Sequence, residues 1–216
     1  MSILRKRAVV IITSAVTTSP RPDGVSYLEP TLESLSYAGF DPLVIHDDDF
    51  RGSWPMLREA LARLLERPGD ALVVFQDDIV AAKWLFGWLE DTLWPGDIDL
   101  VGVCSLYTAG SNCREESGWY TSDELPVFKP WGACGLAFPR RSAEMLVANP
   151  PCKALLTGSD SHTATFCRMN GLKFWMHSPS LIQHVGAIGS LGIGDNRGLT
   201  EERCAGMFCG DVRELT

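Results

Sequence analysis

The sequence has no C-x-x-C pair, no apolar stretch long enough to cross a bilayer, no excess of positive charge, and no glycine between Thr13 and Pro22. Each absence removes a class of protein. Without paired cysteines a structural zinc site has no ligand framework. The seven cysteines, an odd number running from Cys104 to Cys209, read as reduced thiols, and a bridge such as Cys204–Cys209 has no support in the spacing. Arg5-Lys6-Arg7 before Ala8–Ile12 has the outline of a secretory leader. An apolar stretch of five residues is nevertheless too short for a signal core and far too short for a membrane span. The expectation is a soluble protein of a reducing compartment, the cytoplasm. A formal charge of −8 gives no electrostatic footprint for nucleic acid or anionic lipid, and it suits a protein that must hold a cation. The glycine-free loop lacks the G-x-G-x-x-G fingerprint of dinucleotide-binding folds. It also lacks the Gly-rich phosphate loop of nucleotidyltransferases, although it carries Arg21.

What the chain does have is 216 residues, 45% of them apolar, enough for one α/β domain with a sizeable core. It also has seven tryptophans, some for that core and some free to line a groove for sugars or bases. The first half alternates between two periodicities. The β-branched run Ala8–Ile12 predicts a buried first strand, and Thr13 to Gly24 a polar, proline-containing loop. Ser26-x-x-Glu29 reads as a capping box for a helix with Leu28, Leu32 and Leu35 on one face, closed by Gly39. Pro42–His46 predicts a second strand, with Asp47-Asp48-Asp49 just past it. Ser53 caps a second helix, in which Leu57, Ala60, Leu61, Leu64 and Leu65 follow the helical period. Ala71–Phe75, apolar throughout, predicts a third strand covered on both faces. Ile79–Leu93 reads as a third helix and Ile98–Cys104 as a fourth strand.

Successive units of this kind imply a parallel sheet with helices on both sides and ligands bound outside the carboxyl ends of the strands. Further on, Ser105–Val127 reads as a long polar loop and Pro130–Phe138 as a stretch rich in glycine and aromatics. Ser142–Ala148 and Ser159–Asn170 predict helices, Leu172–Met176 a strand, and Gly186–Gly210 a Gly-rich tail or lid.

Four groups of residues could carry chemistry. Gln76-Asp77-Asp78 puts two carboxylates at a strand end, where they would bind Mg2+ or Mn2+ or else cap a helix beginning at Ile79. His184, after the short apolar run of Pro179–Gly186, is either a structural histidine or a neutral metal ligand. Asp160 in Gly158-Ser159-Asp160 is either a first-turn helix acid or a general base. Trp131–Phe138, with Gly132 and Gly135, is either a tight turn into a strand or a place where backbone approaches a ligand.

Taken in order, these groups resemble the GT-A fold of nucleotide-sugar-dependent glycosyltransferases. Tyr27–Phe40, then F-Q-D-D-I at 75–79 and S-L-I-Q-H-V-G at 180–186, is similar to the N-acetylglucosaminyltransferase branch of that fold. The likeness runs over most of Ala8–Gly186. It implies a single domain with a nucleotide-binding half at 1–104, an acceptor and catalytic half at 105–185, and a tail or lid at 186–216. The fold implied is a Rossmann-like, mostly parallel central sheet flanked by helices.

The same resemblance implies roles. Asp78 and His184 would hold a divalent cation, Mn2+ or Mg2+. Thr13, Ser14, Arg21, Asp47, Gln76 and Asp77 would bind the donor, with Asp47 on the nucleobase. Trp131 and Gly132 would border donor and acceptor, and Asp160 would be the catalytic base. Gln76 stands where the family usually has an acid, and Ser159 precedes Asp160 where a second acid is common. The implied reaction transfers a sugar from a nucleotide-sugar, a UDP-sugar by the resemblance, to an acceptor hydroxyl with inversion. Glycan, protein, lipid, small molecule and modified nucleic acid are all compatible acceptors. Arg197 and Arg203 would reach the diphosphate if the tail closes. A sugar-nucleotide nucleotidyltransferase and a non-catalytic carbohydrate-binding relative are the alternatives.

Overall fold

The computed structural model describes residues 10–21, 24–130, 132–151, 158–185, 205 and 207–209. In chain order the elements are β1 (Ile12–Thr18), α1 (Leu28–Tyr37), β2 (Leu43–His46), α2 (Ser53–Leu65), β3 (Ala71–Gln76), β4 (Ile79–Ala81), α3 (Leu85–Thr92), β5 (Val101–Ser105), β6 (Gly118–Thr121), β7 (Gly135–Pro139), α4 (Arg140–Ala148), α5 (Ser159–Met169), β8 (Lys173–Ser178) and β9 (Ile182–His184).

β3 explains why the sheet is covered on both sides. Its residues are apolar from Ala71 to Phe75 and alternate between two cores. Ala71, Val73 and Phe75 join Leu35 of α1 and Leu85 and Leu89 of α3. Leu72 and Val74 join Leu57, Ala60, Leu61 and Leu64 of α2, Leu146 of α4 and Phe166 of α5. A strand wet on one face would have needed polar residues at every second position. The first core also gathers aromatic rings. Trp84 meets Trp88 edge-on at 5.8 Å and Trp88 stacks on Trp119 at 6.2 Å. The His177 ring lies edge-on to both indoles at 5.1 Å.

The seven-stranded sheet runs β2-β1-β3-β7-β5-β8-β6. β1, β2, β3, β5 and β8 point one way, while β6 and β7 oppose them. The central sheet is therefore mostly parallel and flanked by helices, as the sequence predicts. β4 and β9 form a separate two-stranded ribbon. No helix among the described residues is long and apolar enough to cross a membrane, and the described cysteines 104, 113, 134, 167 and 209 are not joined in disulfides.

Four local expectations are corrected. The first strand begins at Ile12 and continues to Thr18, so Thr13–Thr18 is strand rather than loop. Its hydroxyl residues pair in register with β3, from Thr13 opposite Leu72 to Thr17 opposite Gln76. The segment Ile79–Leu93 is not one helix. β-branched Ile79 and Val80 pair with His184 and Gln183, and α3 starts only at Leu85. The Thr31 hydroxyl on α1 accepts from the Ile79 N–H at 3.1 Å, and Ser34 Oγ accepts from the Ala81 N–H at 2.9 Å. Side chains of α1 thus answer backbone donors on the edge of β4. Neither Ser26 nor Ser53 caps its helix; the N-caps are Tyr27 and Gly52. The long loop Ser105–Val127 contains β6, which pairs with β8.

Candidate active site

The parallel strands end on one edge, and the polar residues that follow them collect there. Arg21, three residues past β1 and buried, places Nη2 2.7 Å from Asp77 Oδ1 and 3.0 Å from Asp78 Oδ2. Thr18, the last residue of β1, donates its hydroxyl to Asp77 Oδ2 at 2.5 Å. The guanidinium also sits over the Tyr27 ring at 4.9 Å. His184 arrives from the far end of the chain because β9 pairs with β4 in a register that sets it opposite Ile79. Its Nε2 lies 3.0 Å from Asp78 Oδ2, and the Val185 N–H donates to the Asp78 carbonyl at 2.9 Å.

The two aspartates are not equivalent. Burial pushes the Asp77 carboxyl above its ordinary 3.8, and the adjacent Asp78 charge adds to the rise against the Thr18 hydroxyl and Arg21. Burial pushes Asp78 up as well, but His184 and Arg21 outweigh it and hold that carboxyl below 3.8. Asp78 is thus the more acidic of the two. Its Oδ1 is buried and has no hydrogen-bond partner among the described residues.

A buried carboxylate oxygen without a donor is costly unless something positive completes it. Asp78 Oδ1 and the His184 nitrogen could together hold a divalent cation. No group of three or more His, Cys, Asp or Glu among the described residues is arranged to hold a metal. The protein would supply two ligands, and diphosphate and water oxygens the others, which is how Mg2+ is commonly held.

Asp160 stands in the first turn of α5, half-buried. Its Oδ1 accepts from the Ser161 N–H at 2.7 Å, and the carboxylate also takes the Gly132 backbone N–H. Burial outweighs these donors and raises its pKa above 3.8. Gly132 has φ +95°, and a Cβ there would lie 2.1 Å from the Tyr107 ring. Tyr107 in turn lies 6.5 Å, centroid to centroid, from the His184 ring. Asp160 and the Asp78–His184 pair are therefore linked through Gly132 and Tyr107. Replacing Gly132 with alanine imposes a left-handed backbone and a clash together. The expected result in thermal melting is a loss of about 1–3 kcal/mol, and an unchanged midpoint would remove Gly132 as the residue that fixes Tyr107. The start of α5 is tied down by His162, whose Nδ1 is 2.8 Å from the Gly158 carbonyl. The His162 ring also stacks on Trp54 of α2 at 4.3 Å.

The other expected site residues divide. Gln76 ends β3 at the site edge, its N–H donating to the Cys134 carbonyl at 2.9 Å. Thr13 and Ser14 lie near the start of β1, paired with Leu72 and Val73, so they do not stand at the strand's carboxyl end. Asp47 follows β2 as expected but is 0% exposed. Its Oδ1 accepts from the Arg51 N–H at 2.9 Å and its Oδ2 from the Gly52 N–H at 2.9 Å and Ser19 Oγ at 3.2 Å. A carboxylate so enclosed fastens the loop into α2. Trp131, Arg197 and Arg203 lie outside the described residues. Of the expected tail, Ala205 and residues 207–209 are described. Ala205 N–H donates to Gln183 Oε1 at 3.0 Å, and Ser180 N–H to the Met207 carbonyl at 2.8 Å.

Thr18, Thr31 and Tyr107 were not anticipated from the sequence. Thr18 could have been found by carrying the first strand through its threonines. Tyr107 had no signal, because its place depends on Gly132 across the sheet.

The mixed sheet and the ribbon above its edge define a GT-A-like, Rossmann-type α/β fold. No protein-family model matches the chain, and neither does any curated protein sequence. Among solved structures it is similar to A197 from STIV, with 14% identity and a TM-score of 0.51, over 88% of this chain and 91% of that one. It is also similar to the mannosyltransferase PcManGT from Pyrobaculum calidifontis in complex with GDP-Man and Mn2+, at 19% identity and a TM-score of 0.50. That likeness covers 80% of this chain and 56% of the mannosyltransferase. Both likenesses are of fold.

Proposed function

We propose that the chain is a glycosyltransferase that moves a sugar from a nucleotide-sugar to an acceptor hydroxyl with inversion, using a divalent cation, Mn2+ or Mg2+, at Asp78 and His184. The reading rests on one observation above others: Asp78, whose Oδ1 is buried with no hydrogen-bond partner among the described residues, lies beside His184 and Arg21 where the parallel strands end. Bound there, the cation would offset charge that develops on the departing diphosphate. Arg21 contributes a fixed positive charge beside the same group. Asp160 removes the proton from the acceptor hydroxyl. The freed oxygen pair forms the new bond to the anomeric carbon while the bond from that carbon to the diphosphate oxygen breaks on the opposite face. The nucleoside diphosphate leaves, and Asp160 returns its proton to water. A base whose pKa is raised by burial is stronger, which favours this transfer. By sequence resemblance the donor is a UDP-sugar, with N-acetylglucosamine as one sugar to try.

The test is a donor panel read by thermal shift and nucleotide release. It comprises UDP-N-acetylglucosamine, UDP-glucose, UDP-galactose, GDP-mannose and dTDP-glucose, each with Mn2+ or with EDTA. At roughly 100 times its Kd the matching donor should raise Tm by about 5–10 °C in Mn2+ and by far less in EDTA. Binding of no donor, or equal binding in EDTA, would sink the proposal.

A further inference from the structure

The inference rests on the glycosyltransferase reading and concerns how the site behaves before substrate arrives. Asp77 and Asp78 are neighbours in sequence and each is 5% exposed. Two buried carboxylates this close repel, and the repulsion must be answered by positive charge. A single nitrogen, Arg21 Nη2, answers both, at 2.7 Å and 3.0 Å. Asp78 Oδ2 is shared between Arg21 and His184, while Oδ1 has no partner among the described residues. A cation that approaches through Oδ1 meets a guanidinium bonded to the other oxygen of the same carboxylate. The two positive groups would share one carboxylate, in surroundings that screen them poorly. A lone cation is therefore disfavoured at Asp78. A nucleoside diphosphate changes this balance, because its oxygens offer the guanidinium an anionic partner in place of Asp78. Asp77 is held independently by Thr18.

We propose that Arg21 is a charge gate. It guards Asp78 against a cation arriving alone and passes to the diphosphate when cation and nucleotide bind together, so that each tightens the binding of the other. The coupling is reciprocal, as linkage requires.

The experiment titrates Mn2+ into the full chain by calorimetry and by the electron paramagnetic resonance of free Mn2+, without nucleotide and then with UDP or GDP. The native protein should bind Mn2+ alone weakly and at least about tenfold more tightly with the nucleotide. Arg21→Gln should bind Mn2+ alone at least about tenfold more tightly than the native chain and lose most of the coupling. Arg21→Lys, which keeps the charge, should stay close to native, and Asp78→Asn should abolish the site in every background. Tight Mn2+ binding by the native chain alone overturns the gate without recourse to any variant. Equal or weaker Mn2+ binding by Arg21→Gln overturns it as well. Failure of every nucleotide to bind would instead count against the glycosyltransferase reading, while the comparison in Mn2+ alone still decides the role of Arg21.

Discussion

Asp160→Asn should lower kcat by about 10²–10⁴-fold while leaving nucleotide and Mn2+ binding near native. The amide oxygen can still accept the Gly132 N–H, so the loop keeps its anchor and only the base is lost. The pH dependence supplies an independent reading. With Asp160 as the proposed base, catalysis needs the ionised carboxylate, and burial raises its pKa above 3.8. Activity should therefore fall as pH drops through a value higher than an exposed aspartate would give, and that acidic limb should vanish in the variant. Steady-state rates across pH with saturating donor measure both. Unchanged turnover in Asp160→Asn would remove Asp160 as the base. Absence of turnover in the native chain with every donor would leave a carbohydrate-binding relative.

Asp47→Ala should cost about 2–4 kcal/mol of stability, equivalent to a fall in Tm of about 5–15 °C. The substitution strands the backbone donors of Arg51 and Gly52 at the entrance to α2, where four donors now converge on one buried carboxylate. The sign with pH follows from the same contacts. Burial pushes Asp47 up, but the N–H groups of Gly52 and Arg51, the Arg51 side chain and the Ser19 hydroxyl outweigh it and hold the carboxyl below 3.8. A depressed folded pKa means this stabilisation is present above 3.8 and drains away as pH falls through the lower folded value. The variant's melting profile should be flatter over that acidic window. If Asp47→Ala instead melts like the native chain and loses donor affinity, the carboxylate serves the nucleobase after all.

A short apolar run bounded by turn residues made the covered strand at Ala71–Gln76 legible, a 3.6-residue stripe the helix at Ser53–Leu65, and the first-turn Ser159 and Asp160 the helix at Ser159–Met169. Such local signals failed where partners distant in sequence decide. Thr13, Thr17 and Thr18 look like loop residues until β2 and β3 are set beside them. Ile79–Val80 looks like the first turn of a helix until the 182–184 segment pairs with it. That β7 runs antiparallel between β3 and β5 depends on the register of three strands at once. The same divide runs through the site. Chemical type singled out Asp78, His184, Arg21 and Asp160, and the fold brings the first three within 3.0 Å contacts. The enclosure of Asp47 was invisible because an acidic run after a strand reads alike whether it faces ligand or backbone. So was the asymmetry between Asp77 and Asp78, which is set by His184 reaching Asp78 from the far end of the chain.

The indoles of Trp84, Trp88 and Trp119 are held edge-on or stacked, with the His177 imidazole against two of them. Rings fixed at such spacings couple their electronic transitions and contribute to the near-ultraviolet circular dichroism, and the Trp88–Trp119 contribution requires α3 docked on the sheet. Far-ultraviolet dichroism would survive loose helices, whereas this contribution would not. The molecule thus carries its own optical gauge of tertiary packing. With that gauge, a silent Asp160 or Arg21 variant can be told from a misassembled one before any donor is added.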